Sequence, residues 1–172
     1  LTNVQNRFHF VFASKYERDN ALLRDSSKHS IIGFGIDQET QEFRAPISKN
    51  RFLFIGRIAE IKNLEGLLIA SSMLKSQGVE FLLEIIGDGD ETYFAKIRKL
   101  SSELNLDNLV TFSGWQSGIN KEQSMNRSSV LVLPSHSENF GVVVLEAAVK
   151  GIPAVLTPNV GIAYSVSVYE AG

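Results

Sequence analysis

Short apolar runs alternate over most of the chain with longer segments in which apolar residues recur every three or four positions. Each short run has the length of a strand that is buried on both faces of a parallel sheet. From residue 51 onward these runs are 51–55, 80–86, 109–112, 130–133 and 152–156. The segments between them have helical spacing and cover 63–77, 91–104, 117–126 and a run that begins at Gly141. This alternation predicts an α/β fold: a Rossmann-like, doubly wound parallel sheet with right-handed crossovers and helices on both faces.

Three of the predicted helices have a distinct apolar face, which we expect to pack on the sheet. The inward positions are Leu64, Leu67, Leu68, Ser71 and Leu74 in the first, Phe94, Ile97, Leu100 and Leu104 in the second, and Val144, Leu145, Ala148 and Val149 in the third. Gly151 and Pro153 are typical of residues that end a helix, so the third helix is expected to end just before Gly151.

The first 50 residues follow a different pattern. A strand is predicted over 8–13, followed by a short helix that Ser14 could cap and that extends to about Leu23, and by a second short strand over 29–32. Residues 38–50 are polar, contain Pro46 and are expected to form a linker.

Two carboxylates, Glu138 and Glu146, lie close to the predicted helix start at Gly141. Glu138 precedes that start, and Glu146 lies about 7.5 Å down the axis at 1.5 Å per residue. An anion such as a phosphate would bind the free backbone N–H groups around Gly141 to Val143, and a sugar attached to it could then reach a carboxylate. The alternative is structural, because a helix start also favours acidic residues: Glu138 would cap the helix and Glu146 would be solvated.

Two cations, Arg57 and Lys62, lie at or just before the first predicted helix. Cations there oppose the helix dipole, and a bound anion removes that conflict. The planar fork of Arg and the point charge of Lys suit a diphosphate. The alternative is a pair of solvated side chains.

Two further features at strand ends are less specific. Gly87 and Gly89 flank Asp88, but a third glycine at the spacing of a dinucleotide fingerprint is missing, so a tight strand-to-helix turn is the firmer prediction. Trp115 follows the 109–112 strand and either packs against the protein or offers a stacking surface for a base. His136 is expected to be exposed in its loop.

The stretch Ser-Glu-Asn-Phe-Gly-Val-Val-Val-Leu-Glu-Ala over 137–147, followed by Gly-Ile-Pro-Ala-Val, resembles the signature of family 4 retaining glycosyltransferases, which have the GT-B fold. The resemblance implies that Glu138 faces the donor sugar and Glu146 hydrogen-bonds the ribose. It also implies that Arg57 and Lys62 neutralise the diphosphate of the leaving nucleotide. The catalytic set would therefore be Arg57, Lys62 and Glu138. The donor-binding set would be Gly56, Gly87, Gly89, Asn139, Phe140, Gly141, Val142, Val143 and Glu146.

The same resemblance divides the chain. Residues 1–37 correspond to a remnant of the N-terminal acceptor domain and the hinge, 38–50 to a linker, and 51–172 to the nucleotide-sugar-binding domain, truncated at its C-terminus. One departure lies at Val160-Gly161-Ile162, where the family usually has two adjacent glycines and then a glutamate that contacts the sugar.

Composition narrows the function classes further. The 172 residues carry a formal net charge of −2, which gives no electrostatic basis for nucleic-acid binding. The chain has no cysteine and no apolar run long enough for a transmembrane segment. Its three histidines lack partners at metal-ligand spacing, so no bound metal is expected. We expect a cytoplasmic protein, or in the full enzyme one that is peripheral at the inner membrane face.

The leading hypothesis is a hexosyltransferase-type glycosyltransferase of glycan biosynthesis, with this chain as its donor-binding domain. It would need no cofactor or metal: its substrates would be a nucleoside-diphosphate sugar and a lipid-linked or saccharide acceptor. The missing N-terminal domain would be its partner, so the isolated chain is expected to be inactive. The alternatives are a non-catalytic nucleotide-binding or assembly module and a nucleotide-sugar epimerase of similar fold.

Overall fold

The computed structural model describes residues 8–22, 27–36 and 50–168, so the predicted linker lies almost wholly outside the described residues. In these ranges the strands are β1 (Phe10–Phe12), β2 (His29–Ile31), β3 (Arg51–Ile55), β4 (Leu82–Ile86), β5 (Val110–Gly114), β6 (Val130–Leu133) and β7 (Ala154–Leu156). The helices are α1 (Lys15–Asn20), α2 (Leu64–Ser76), α3 (Glu91–Glu103), α4 (Gly118–Asn126), α5 (Val142–Val149) and α6 (Ala163–Val168). A 3₁₀ turn over Glu60–Lys62 precedes α2.

Five strands form one parallel sheet in the order β5-β4-β3-β6-β7. The chain therefore runs outward from β3 through β4 to β5, and then outward in the other direction from β6 to β7. Right-handed crossovers place α2 and α3 on one face and α4 and α5 on the other. The predicted α/β architecture is confirmed. Such a sheet has a crevice at the carboxyl ends of the two strands where the direction changes, which here are β3 and β6.

The core consists of the sheet and the helix faces that cover it. The strand residues Leu53, Phe54, Leu83, Ile85, Leu131 and Leu133 are at most 1% exposed. On α2 the predicted inward residues Leu64, Leu67, Leu68 and Ser71 are buried. On α5 the buried positions are Val144 and Ala147, whereas Ala148 is exposed. The prediction that Ala148 faces inward is therefore wrong, and the neighbouring Ala147 is buried instead.

Strand ends differ from the predictions by one to two residues, for identifiable reasons. β7 begins after Pro153, because proline has no N–H to donate to the ladder; its carbonyl still accepts from Leu131 N at 2.9 Å. β5 runs on to Gly114, and its register against β4 shifts between Ile85 and Ile86.

The N-terminal segment forms a second, two-stranded sheet in which β1 and β2 are parallel. Ser14 caps α1 by accepting from Glu17 N at 3.0 Å, as its position before the predicted helix suggested. The segment packs on the main domain, where the Phe34 ring meets the Phe140 ring edge-on at 5.3 Å between centroids.

A polar contact joins α2 to α3. Glu65 accepts from the Tyr93 hydroxyl at 2.5 Å and from Lys96 Nζ at 3.0 Å. Burial acts to raise the pKa of Glu65, but these hydrogen bonds and the Lys96 charge outweigh it, so the pKa is lowered overall. Burial and the hydrogen bond to Glu65 raise the pKa of Tyr93.

The start of α2 depends on Asn63, which directly follows Lys62. Asn63 has a left-handed backbone (φ 54°, ψ 46°), and its side chain accepts from Gly66 N at 3.2 Å. A Cβ at Gly66 would lie 2.7 Å from Asn63 Oδ1, so the cap also requires glycine at that position.

We expect Asn63→Ala to lower the free energy of unfolding by about 2 kcal/mol, because it removes the cap and leaves alanine in the left-handed conformation, which asparagine tolerates better through local hydrogen bonds of its side chain. Asn63→Gly loses the same side chain but tolerates the backbone, so it should cost less than about 0.5 kcal/mol. Urea denaturation of both variants measures the difference. Equal losses would contradict a backbone contribution at this site.

Candidate functional site

The five loops that leave the carboxyl ends of the sheet strands form one continuous rim. Each loop is hydrogen-bonded through its backbone to the next one. The bonds, from β5 to β7, are Gly87 N to Gly114 O at 2.9 Å, Ile58 N to Asp88 O at 2.8 Å, His136 N to Ile61 O at 2.8 Å, and Gly161 N to Glu138 O at 2.9 Å. The rim therefore holds residues from distant parts of the chain in fixed relative positions.

Two of the predicted donor-binding glycines, Gly87 and Gly89, are needed for contact between loops. A Cβ at Gly87 would overlap the carbonyl oxygen of Gly56, and a Cβ at Gly89 would overlap that of Ile58. The backbones of the β3 and β4 loops could not approach this closely with side chains present. The structure thus gives these glycines a packing role within the rim, independent of any ligand.

The α5 start has the backbone geometry expected of a glycine. Gly141 precedes the helix with φ 92°, and a Cβ there would lie 2.9 Å from Val160 Cγ1. No side chain caps this helix start. Val142 is exposed and Val143 is half-buried at its first two positions.

Lys62 and Glu138 form an ion pair across the crevice between β3 and β6. Their side chains are only 14% and 23% exposed. Sequence analysis predicted each of them as a ligand contact without predicting this pairing. The pair shows that a protein carboxylate offsets the unfavourable position of Lys62 before α2, so a bound anion is not required for that purpose.

Arg57 differs from Lys62 in having no such partner. It lies exposed in the loop between β3 and the 3₁₀ turn. Within the part of the chain that the structure describes, its guanidinium makes no hydrogen bond or ion pair. Arg57 is therefore a cation at the crevice that is available to an anion.

Glu146 contacts a second cation, on the neighbouring helix. Lys121 Nζ of α4 lies 2.5 Å from Glu146 Oε2, and the two side chains are 26% and 31% exposed. Lys121 is the charged partner of this oxygen, for which the described residues supply no other donor. Lys121 of α4 thus holds in place a carboxylate of α5, the helix that begins at the crevice.

The loop that carries Glu138 also contacts the N-terminal segment. The Asn139 amide donates to Glu17 Oε1 at 2.9 Å, and Phe140 packs against Phe34. The predicted donor-binding residues Asn139 and Phe140 thus have protein partners in the ligand-free chain.

Sequence analysis missed two participants in this site, Lys121 and Glu17. Ser14-x-x-Glu17 has the spacing of a capping box and could have indicated a helix cap. Nothing in the sequence links Glu17 to Asn139 or Lys121 to Glu146, because each pair is brought together by the fold.

Trp115 and His136 both lie on the rim. Trp115 is 73% exposed, so it is not a core residue. His136 is exposed, as predicted. Among the described residues, no group of three or more His, Cys, Asp or Glu side chains could hold a metal ion. None of the described helices is long and apolar enough to cross a bilayer.

Comparison with known proteins gives a consistent picture. A family model described as "Glycosyl transferases group 1" matches residues 36–172. A 2-deoxystreptamine N-acetyl-D-glucosaminyltransferase from Niallia circulans is 28% identical over 153 residues, which are 83% of this chain and 39% of the relative. A poly(glycerol-phosphate) alpha-glucosyltransferase from Bacillus subtilis is 31% identical over 88% of this chain and 24% of its own length. The chain thus spans well under half of these relatives.

Solved structures share the fold. The lipopolysaccharide outer core galactosyltransferase WaaB matches with a TM-score of 0.73 at 25% identity, over 91% of this chain and 44% of that one. A sucrose-phosphate synthase from Thermosynechococcus elongatus matches at 0.78 and 22% identity, over 92% and 42%. Anabaena HepE, in complex with UDP and glucose, matches at 0.76 and 21% identity, over 94% and 48%. The neighbours are GT-B glycosyltransferases, which confirms the predicted fold class.

We expect the Lys62–Glu138 pair to stabilise the ligand-free chain cooperatively. In a double-mutant cycle of Lys62→Met and Glu138→Gln, the interaction energy should be about 1–2 kcal/mol, since the pair is largely buried and each single change leaves one charge unpaired. The exposed pair Lys99–Glu103 is the control and should give less than about 0.5 kcal/mol. Urea denaturation measures both cycles. Equal interaction energies would show that the Lys62–Glu138 pair stabilises the chain no more than an exposed ion pair does.

Proposed function

Because the chain belongs to the group 1 glycosyl transferases, we propose that it supplies the nucleotide-sugar-binding domain of a retaining, hexosyltransferase-type glycosyltransferase. The donor is a nucleoside-diphosphate sugar that lies in the crevice between β3 and β6. The acceptor is a lipid-linked molecule or a saccharide, held by an N-terminal domain to which the segment 8–36 belongs. The enzyme works in glycan biosynthesis, in the cytoplasm or at the inner membrane face.

One observation carries the proposal. Strand order brings Lys62 and Glu138 together at the change of direction in the sheet, where α5 begins at Gly141, and Arg57 lies in the same loop after β3 as Lys62. Two cations and a helix start are a favourable environment for a diphosphate. A carboxylate within the same crevice gives the arrangement a group that can face the sugar.

The diphosphate would be bound by Arg57 and Lys62. Arg57 is already available, whereas Lys62 exchanges Glu138 for a phosphate oxygen when the donor binds. As the bond to the sugar breaks, negative charge grows on the diphosphate, and the two cations stabilise it. Glu138, released from Lys62, then faces the donor sugar.

The ribose would be bound by Glu146. This residue lies one helical turn beyond the α5 start, on the same helix, so a nucleotide whose phosphates occupy that start can extend toward it. Lys121 contacts Oε2 and orients the carboxylate, so Oε1 would accept hydrogen bonds from the ribose hydroxyls. The UDP bound to Anabaena HepE supports a nucleoside diphosphate as the ligand class.

A non-catalytic nucleotide-binding or assembly module is the second candidate. The observation that favours it is Val160-Gly161-Ile162, where a second glycine and a glutamate would be expected in an active enzyme of this kind. Such a module would bind the nucleotide in the same crevice, but no sugar transfer would follow when the complete protein is given an acceptor.

Binding of a nucleoside diphosphate without a divalent metal is the first test. Calorimetric titration of the chain with UDP, GDP and ADP should detect at least one ligand, and its affinity should be unchanged in EDTA, because Arg57 and Lys62 supply the positive charge. Uridine, guanosine and adenosine without phosphates are the controls. If no diphosphate binds, or if chelation abolishes binding, the proposed donor site is wrong.

Two variants should weaken opposite ends of the ligand. Arg57→Ala is expected to reduce affinity for the diphosphate about tenfold or more, with little effect on the free nucleoside. Glu146→Gln should reduce affinity for the nucleoside diphosphate more than for inorganic diphosphate. Arg98→Ala, at an exposed arginine that stacks on Phe94, is the matched control. Calorimetry measures the affinity of each variant for the nucleoside diphosphate, the free nucleoside and inorganic diphosphate. If a variant loses the same factor in affinity for all three ligands, its residue has been assigned to the wrong end of the ligand.

A further inference from the structure

Glu17 uses its two carboxylate oxygens for two different partners. Oε2 accepts from the backbone N–H of Ala13 at 2.7 Å, which closes the turn that begins α1. Oε1 accepts from the side-chain amide of Asn139 at 2.9 Å, across 122 positions of sequence. One carboxylate therefore joins the N-terminal segment to the loop that carries Glu138.

A second contact at the same place fixes the backbone of that loop. Ser14 is only 6% exposed, and its hydroxyl donates to the carbonyl oxygen of Asn139. Gly161 closes the junction from the other side: a Cβ there would overlap the Asn139 oxygen and lie 2.5 Å from Ser14 Oγ. The space around Asn139 is thus filled by α1 with its Ser14 cap and by the loop that follows β7.

The neighbours of Glu138 are held in the same way. Tyr16 donates from its hydroxyl to Ser137 Oγ at 3.2 Å, and Phe34 packs on Phe140. The backbone of Glu138 donates to Asn159 O at 3.1 Å and accepts from Gly161 N at 2.9 Å. The N-terminal segment therefore hydrogen-bonds to the residue on each side of Glu138.

We propose that Glu17 is a positioning residue for the donor-sugar end of the site, acting through Asn139 on the loop that carries Glu138. This inference rests on the proposed function and adds to it: the segment 8–36 fixes where the Glu138 carboxylate points, in addition to any role toward the acceptor. Loss of the Glu17–Asn139 contact should weaken recognition of the sugar more than recognition of the nucleotide.

The chemistry of the contact allows the positioning role to be separated from the helix cap. Glu17→Gln introduces an amide, whose oxygen can still accept from Ala13 N, as glutamine does in other capping boxes. Its nitrogen then faces the Asn139 nitrogen, and a bond can form again only if the Asn139 amide turns over, which replaces a hydrogen bond to a charged carboxylate with a weaker neutral one. Asn139→Asp alone sets a carboxylate against that of Glu17. The double variant restores a donor–acceptor pair with its direction reversed.

The test is a four-member cycle: the wild-type chain, Glu17→Gln, Asn139→Asp and the double variant. Glu91→Gln is the matched control, because Glu91 is an exposed acidic residue in the first turn of α3. For each protein, calorimetry measures the dissociation constants of UDP and UDP-glucose, GDP and GDP-mannose, and ADP and ADP-glucose. The quantity of interest is the ratio of sugar-nucleotide to nucleotide affinity in the pair that the wild type binds.

Each single variant should lower that ratio at least about threefold, and the double variant should recover most of the loss. Hydrogen exchange of residues 137–141 in the ligand-free chain is the second readout: it should speed up in the single variants and slow again in the double variant. The Glu91→Gln control should match the wild type in both measurements. If the single variants leave the ratio and the exchange unchanged, or if the double variant shows no recovery, the positioning role is refuted.

The two proposals fail in distinguishable ways. A wild-type chain that binds none of the three nucleoside diphosphates overturns the proposed function. A chain that binds one of them normally, with a ratio insensitive to the cycle, overturns only the role of Glu17. Because Glu17→Gln retains the cap, a fall in ratio that the double variant reverses cannot result from unfolding of α1.

Discussion

The ion pair between Lys62 and Glu138 depends on the arrangement of the whole sheet. Its partners are 76 positions apart in sequence and meet only because β3 and β6 are adjacent, although three helical crossovers and the strands β4 and β5 lie between them in the chain. The glycine contacts of the rim bring the flanking loops close enough to be hydrogen-bonded to one another. A side chain at Gly87 or Gly89 would force those loops apart and disturb the crevice that Lys62 helps to line.

At the start of α2, the helix dipole disfavours the charge of Lys62, whereas the cap of the helix depends on the residue that follows it. Lys62 lies just before α2, where the helix dipole disfavours a cation, yet Asn63 must follow it to cap the helix in a left-handed conformation. Glu138 offsets the charge in the ligand-free chain. A diphosphate that replaced Glu138 would pair with the same ammonium group. Binding would then exchange one anionic partner of Lys62 for another, and the largely buried charge of Lys62 would not be left unpaired. Arg57 faces no such competition.

The elements with buried apolar runs were predictable to within one or two residues at each end. The bounds of β3 and β6 agree with the predicted 51–55 and 130–133, because strands covered on both faces tolerate few polar residues. Predictions were wrong where burial depends on tertiary packing. Ala148 was predicted to face inward, but its exposure depends on how the short helix α5 packs on the sheet. Sequence analysis named the candidate residues Arg57, Lys62, Glu138 and Glu146, but it did not predict the Lys62–Glu138 pair or the contact of Glu146 with Lys121.

The sequence by itself determined the fold class, the positions of the strand ends and the types of side chain available there, because these follow from local periodicity, turn residues and motif spacing. Tertiary structure alone decided the strand order and hence the partners: Lys62 with Glu138, Lys121 with Glu146, and Glu17 with Asn139. Each of these contacts joins residues that are far apart along the chain. Such pairs leave no trace in a single sequence, since local patterns record burial and backbone geometry and do not record which distant element packs nearby.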